Sequence, residues 1–279
     1  MTDAYLARPK HCAVSFGLGY ERFFASPIDM SEFSMKFSIV TAVYNRERTI
    51  GDAIRCLQQQ SFGDYEHIII DGASTDNTVA EVERLADQRL RLVSEPDAGI
   101  YDAINKGVAM ARGEIIGLLH SDDTFAHARV LETVAERFER DHCLMAYGDL
   151  DYVSKDNGRT VRRWRAGPYR YPLLRRGWMP PHPTVFAVRS IFDELGAYDV
   201  SYRIGADYEA MLRYFLMHGQ QAAYIPETLV LMRTGGASNH SLRALLRKMG
   251  EDYRSMRRHG VGGWPTVLWK NISKIIQFR

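Results

Sequence analysis

Short apolar runs alternate with helix-length amphipathic segments through the first half of the chain, and that alternation leaves few folds open. The runs are FSIVTAV (37–43), EHIIID (66–71), LRLVSE (90–95), EIIGLLH (114–120) and LMAYGDL (144–150), each apolar or β-branched. Between the first two runs, Ile50, Ala53, Ile54 and Leu57 form a stripe on one helical face. Between the next two, Val79, Val82 and Leu85 form another, opened by the capping residues of STDNT. Strand and helix in regular alternation predict an α/β fold with a mostly parallel central sheet covered on both faces. Ligands of such sheets bind beyond the carboxyl ends of the strands. Polar residues gather at four successive strand ends, 41–45, 71–76, 95–99 and 120–123, although loops on any α/β protein are polar and explain part of the pattern.

The fourth strand end is the most demanding. GEIIGLLHSDDTF (113–125) drives an apolar run into two adjacent acids, Asp122 and Asp123, whose charges repel and which leave water only at a cost. A bound cation would reconcile them. The usual phosphate cradles are missing: the first strand runs into YNRERT rather than GxGxxG, and no GxxxxGK[ST] occurs. A row of acidic strand ends can neutralise a diphosphate only through a divalent metal such as Mg²⁺ or Mn²⁺.

Composition excludes other classes. With 46% hydrophobic and 25% charged residues over 279 positions, the chain can bury a large core and is neither disordered nor a disulfide scaffold. Cys12, Cys56 and Cys143 are odd in number and contain no CxxC pair, which argues for a reducing compartment without structural zinc. No apolar stretch reaches the ~18–20 residues of a bilayer span, and HCAVSFGLGYERFF lacks a signal-peptide layout. A cytoplasmic protein is expected. Periodic structure begins at Phe37, so residues 1–35 read as an N-terminal extension, with Met35 as an alternative start.

The second half is less regular. After SKDNGRT come an arginine and aromatic stretch to Trp178, the turn MPPHPT, a short strand VFAV, a helix from Asp207 to His218, then TLVLMR, GGASNH and two closing helical segments. Residues 241–279 carry nine Lys or Arg against two acids, so the formal net charge of +2 hides a basic tail. Its apolar stripes (Leu242, Leu245, Leu246, Met249, Tyr253, Met256; then Trp264, Val267, Leu268, Ile272, Ile275, Ile276) suit either a core or the face of an anionic bilayer at the inner side of the cell membrane.

FSIVTAVYNRERTI, IIIDGASTDNT, SEPDAGIYDAINKG and GLLHSDD, in this order and spacing, resemble the nucleotide-sugar domain of family 2 glycosyltransferases with the GT-A fold. The resemblance is strong over residues 36–150. It continues more weakly through PHPTVF, ELGAYD and GADYEAMLR to about residue 235, in the manner of bacterial polysaccharide and lipopolysaccharide-building members. It implies a nucleotide-sugar half (36–150) and an acceptor-binding and catalytic half (151–240), ahead of the basic helical tail (241–279) read from charge and periodicity. It further implies a metal-dependent, inverting transfer of a sugar from a nucleoside-diphosphate donor to a glycan or lipid-linked acceptor, with no nucleic acid partner.

Residue by residue, the resemblance puts Thr41, Val43, Asn45 and Glu47 around the base and ribose, with Asp71 accepting from the base imide and Ser74 and Asp97 completing the donor set. Asp122 contacts ribose or the metal shell, Asp123 ligates the metal, and His240 adds a ligand when its loop closes on Gly235 and Gly236. Where relatives carry an ARN-like pattern this chain has Asp102, Ala103, Ile104, Asn105 and Lys106, so Asn105 and Lys106 are expected near the diphosphate. Asp207, in GADYE where many relatives have Glu-Asp, matches the general base, with a helix-capping role as the alternative and Glu209 in reserve. His182 matches an acceptor-side position or serves the proline-rich turn. The seven arginines between Arg159 and Trp178 suit a phosphorylated acceptor, or form a solvated basic hairpin. A nucleotidyltransferase and a non-catalytic sugar-nucleotide or glycan binder remain the rival readings.

Overall fold

The computed structural model describes residues 35–155, 158–234 and 242–276. Its first half is built as the alternation predicts: β1 (Phe37–Val43), α1 (Ile50–Gln58), β2 (Tyr65–Asp71), α2 (Thr78–Leu85), β3 (Leu90–Ser94), α3 (Ile100–Met110) and β4 (Ile115–Leu118). The sheet order β3-β2-β1-β4 is parallel throughout. Every residue of β1 and β2 is buried, as expected for strands covered on both faces. On one face, Val43, Ile50, Ile54, Ile69 and Val82 form a cluster, each contributing roughly 1.5–3 kcal/mol on burial. On α3, Gly107 passes so close to β1 that a Cβ there would collide with Val40.

Register aligns the strand ends. Val43 pairs with Asp71, and Asp71 with Ser94, so the polar residues after β1, β2 and β3 meet along one rim. Beyond β4 the sheet becomes mixed. β5 (Thr124–Phe125), α4 (Val130–Asp141), β6 (Met145–Val153), β7 (Thr160–Trp164), α5 (Tyr171–Leu174), β8 (Phe186–Val188), α6 (Arg189–Leu195), α7 (Ala206–His218) and β9 (Ala222–Arg233) follow. The order continues β4-β8-β6-β9-β5, with β7 antiparallel on β6. β6 runs across residue 150, so one continuous sheet joins the two expected halves. β5, too short for a periodic signal, pairs Thr124 with Leu231 and Phe125 with Val230 of β9. That pairing brings the end of β9 to the acids that follow β4.

Two C-terminal helices, α8 (Leu242–Arg258) and α9 (Trp264–Ile276), complete the fold. The Glu251 carboxylate of α8 accepts from the amides of Arg203, Ile204 and Gly205 at 2.8–3.2 Å and so holds the turn that begins α7. Their burial departs from the expected stripes. Asp252, Ser255, Met256, Val267 and Lys270 are buried, whereas Leu245, Leu246, Trp264, Leu268, Trp269 and Ile272 are about half exposed. A buried ion pair, Lys270 Nζ to Asp252 Oδ1 at 2.9 Å, joins the two helices on their inner side.

Candidate active site

The rim of the parallel half is a laced set of polar side chains. Asp71 is fully buried; its Oδ2 accepts from the Ser74 amide at 2.9 Å and the Ser94 hydroxyl at 2.7 Å, and its Oδ1 from the Ser74 hydroxyl. Asn45 adopts a left-handed φ of 51°, which Asn tolerates better than most residues. Its amide donates to Ser74 Oγ at 2.8 Å, and its Oδ1 accepts from the Thr75 amide at 2.8 Å. Glu47 Oε2 accepts from the Asn77 amide and side chain at 3.1 and 3.0 Å. At the next strand end, Asp97 Oδ1 accepts from the Gly99 amide at 2.8 Å, and Gly72 lies so close that a Cβ would meet Asp97 Oδ2 at 2.5 Å. Asn45, Glu47, Asp71, Ser74 and Asp97 thus converge on one rim. Asp71 spends three of its roughly four acceptor sites on Ser74 and Ser94, which leaves one on Oδ1.

Two expected pocket residues lie beneath the rim instead. The Thr41 side chain is fully buried, with its hydroxyl donating to the Leu119 carbonyl at 2.7 Å and 2.9 Å from His67 Nε2, while Val43 belongs to the apolar cluster. Burial holds the His67 pKa down to about 3, so it is a neutral partner for Thr41. A strand covered on both faces offers a ligand its end and not its side chains. Asn105 is also engaged elsewhere: it donates to the Tyr198 carbonyl at 2.8 Å and accepts from the Tyr198 amide at 2.9 Å. Lys106 pairs with Glu95 at 2.7 Å and donates to the Pro96 carbonyl at 3.1 Å.

The acids after β4 differ from the rest of the rim. Asp123 is 2% exposed. Its Oδ1 accepts from the Arg233 amide at 3.2 Å, but its Oδ2 is buried without a hydrogen-bond partner. Burial, then the neighbouring Asp122 charge, raise its pKa well above the ordinary range against a smaller pull from Arg233. The Arg233 guanidinium is drawn aside to Asp52 at 2.6 Å. An orphaned carboxylate oxygen beside a second acid suits an oxygen-seeking divalent cation, which keeps positions open for water and phosphate. Among the described residues, no three His, Cys, Asp or Glu side chains converge into a complete metal cage. His240 and the Gly235–Gly236 pair lie outside the described residues.

Asp207 sits in the first turn of α7 behind Gly205, and its carboxylate accepts from the Tyr208 amide. A carboxylate is favoured there by the helix dipole. Its Oδ2 lies 3.4 Å from His182 Nδ1, and its Oδ1 lies 3.5 Å from the Tyr101 hydroxyl, which donates to the Ile204 carbonyl at 2.6 Å. His182 Nε2 is in turn 3.0 Å from His120 Nε2. Burial pushes the Asp207 pKa up, but His182, Lys248 and Lys270 more than offset it, so the carboxylate stays below its ordinary value. Burial lowers both imidazoles, His182 to about 4, against the opposing pull of Asp207. Glu209 faces the other way. It is fully buried against Arg213 and His259, each at 2.9 Å, so it does not lie on a solvated helix face.

The model of the family described as glycosyl transferase family 2 matches residues 38–199, more than half of the chain. The chain belongs to glycosyltransferase family 2. The glycosyltransferase is 31% identical over 183 residues to a PGL/p-HBAD biosynthesis glycosyltransferase of Mycobacterium bovis, covering 64% of this chain and 69% of the relative. It is 30% identical over 237 residues to an uncharacterized glycosyltransferase of Mycobacterium tuberculosis, covering 81% and 86%. Among solved structures it shares the fold of TarS residues 1–349 from S. aureus, with a TM-score of 0.64 at 19% identity, covering 81% of this chain and 65% of that one. The same TarS fragment in complex with UDP-GlcNAc matches with a TM-score of 0.64 at 18% identity, covering 81% and 66%. The expected GT-A nucleotide-diphospho-sugar transferase fold is thereby borne out, and family membership favours a transferase over a nucleotidyltransferase or a passive binder.

Sequence reasoning alone missed three parts of the candidate site. His120 lies within GLLHSDD, but only the fold brings it to His182, 62 residues on. Tyr101 stacks on Tyr198 with ring centroids 5.7 Å apart and holds the turn before Asp207. The amide that meets Asp123 comes from Arg233 at the far end of the chain's last strand. No local pattern signals any of these contacts.

Proposed function

We propose that this glycosyltransferase moves a sugar from a nucleoside diphosphate to a hydroxyl of a glycan or lipid-linked acceptor, with inversion, using a divalent cation held after β4. The observation that carries the reading is Asp123, a buried carboxylate with one unpartnered oxygen beside a second acid. Asp123 would hold the cation, with Asp122 next to it and His240 as the further ligand. When bound, the ion neutralises the departing diphosphate. The donor's base and ribose lie on the rim of Asn45, Glu47, Asp71, Ser74 and Asp97, and Lys106 stands at the third strand end for the phosphates.

Asp207 is the general base. Its depressed pKa keeps it ionised at neutral pH, so it can take the proton of the attacking hydroxyl as the new bond forms. Direct attack opposite the leaving diphosphate inverts the anomeric centre. TarS has been solved with UDP and UDP-GlcNAc, which makes UDP-sugars the first donors to try. The relatives named for PGL/p-HBAD biosynthesis favour a biosynthetic transfer, and a lipid-linked acceptor of a cell-surface glycan pathway is the first acceptor to test. No helix among the described residues is long and apolar enough to cross a membrane. The half-exposed apolar face of α9 and the basic tail instead favour lateral attachment to the anionic inner face of the cell membrane.

The test is turnover. Purified protein is incubated with Mn²⁺, a panel of nucleotide sugars and lipid-linked acceptors, beside the Asp207→Asn variant. The expected result is product of inverted configuration from at least one donor, with turnover abolished and donor binding kept in the variant. Undiminished turnover by D207N contradicts the assignment of the base.

A further inference from the structure

The two histidines behind Asp207 form a chain whose direction is fixed by chemistry. An ionised carboxylate only accepts, so the His182 nitrogen facing Asp207, Nδ1, must carry the ring proton. A neutral imidazole has one N–H, so His182 Nε2 is then bare and must accept. The nitrogen facing it at 3.0 Å, His120 Nε2, therefore donates. The 3.4 Å step from His182 to Asp207 is an ion-pair contact longer than a formed hydrogen bond, and catalytic contacts often tighten into one only when substrate arrives. The Tyr101 hydroxyl spends its proton on the Ile204 carbonyl, so Asp207 Oδ1 keeps a free lone pair.

We propose that His182 and His120 are positioning residues of the transfer reaction: a directional chain, His120 to His182 to Asp207, occupies Oδ2 and leaves Oδ1 aimed at the acceptor hydroxyl. The inference rests on the reading of Asp207 as the base. It gives the turn PPHPT a function beyond shape, because the residues flanking His182, Pro181 and Pro183, are buried and fix where its ring stands. It also ties the loop that carries Asp122 and Asp123 to the base through His120. Neither imidazole exchanges a proton with substrate.

The experiment compares steady-state kinetics of His182→Leu, His182→Asn, His120→Leu and the double leucine variant, with Asp207→Asn as reference. An Asn amide can donate from near the position of Nδ1, whereas Leu cannot. Expected for H182L is a loss of kcat of roughly ten- to a hundredfold, the range for partners that orient a reacting group, with KM for the donor little changed. The acid limb of the pH profile should move to higher pH, because Asp207 loses a group that favours its charge. The other groups acting on Asp207, namely Tyr101, Tyr152, Tyr198, Lys248 and Lys270, are the same in every variant. H182N should recover much of kcat and return the limb, and the double variant should be no worse than H182L, since the hydrogen bond of His120 is made to His182. Additive losses, an unmoved acid limb, or H182N no better than H182L would overturn the proposal. Full activity in D207N would instead overturn the base reading itself.

Discussion

Asp123 concentrates the cost and the use of this site in one side chain. Its folded pKa is raised by burial and by Asp122, so the folded state holds this proton more tightly than the unfolded chain does. By linkage, stability of the metal-free protein falls as pH rises from the ordinary carboxylate range through the raised folded value. The Asp123→Asn variant cannot ionise there, so its thermal midpoint should depend less steeply on pH across that window. Equal slopes for the two metal-free proteins in thermal melts would show that Asp123 is not strained by its charge. The acids are legible in the sequence because an apolar run ending in Asp122 and Asp123 has few explanations. Thr41 and Val43 come to the site only through the family resemblance, and in the fold both side chains are buried within β1. The Asn105 amide is matched to the backbone of Tyr198, a partner 93 residues away that no local pattern announces.

Element by element, the parallel half follows from periodicity, since β1 spans the expected residues and β2 and β3 agree to within one at each end. Legibility fails where long-range pairing decides. β5 is two residues long and exists because β9 runs beside it. The tail helices split the expected stripes: Met256 and Val267 are buried beside the Asp252–Lys270 pair, whereas Trp264, Leu268 and Ile272, with neighbouring Trp269, are half exposed. Periodicity reports an apolar face without saying what covers it. No acid occurs in α9, and Thr266 donates to the carbonyl of Arg175 at 3.2 Å, which brings the exposed Arg175 and Arg176 next to this face. The protein should therefore co-sediment with vesicles containing anionic phospholipid and not with neutral ones. The double change Leu268→Glu and Trp269→Glu should abolish this without lowering the thermal midpoint, because both side chains are half exposed already. Sedimentation of the double variant at the wild-type level would remove α9 from the contact.

Over the whole molecule, one sheet carries two jobs. Its parallel half aligns the donor rim by register, Val43 with Asp71 and Asp71 with Ser94. Its mixed half returns β9 to the acids and sets α7 with Asp207 across from them, held by Tyr101 from α3 and Glu251 from α8. The first arrangement is local enough to read from sequence, and the second depends on contacts 46 to 110 residues apart. The central claim is a divalent cation at Asp123 that joins protein to diphosphate, and calorimetric titration of UDP into the wild type and Asp123→Asn, each with and without Mn²⁺, tests it most directly. The wild type should bind UDP tightly only with Mn²⁺ present, and D123N should bind weakly in both conditions. Equal affinity with and without the ion, or an unchanged Mn²⁺ effect in D123N, would contradict the account.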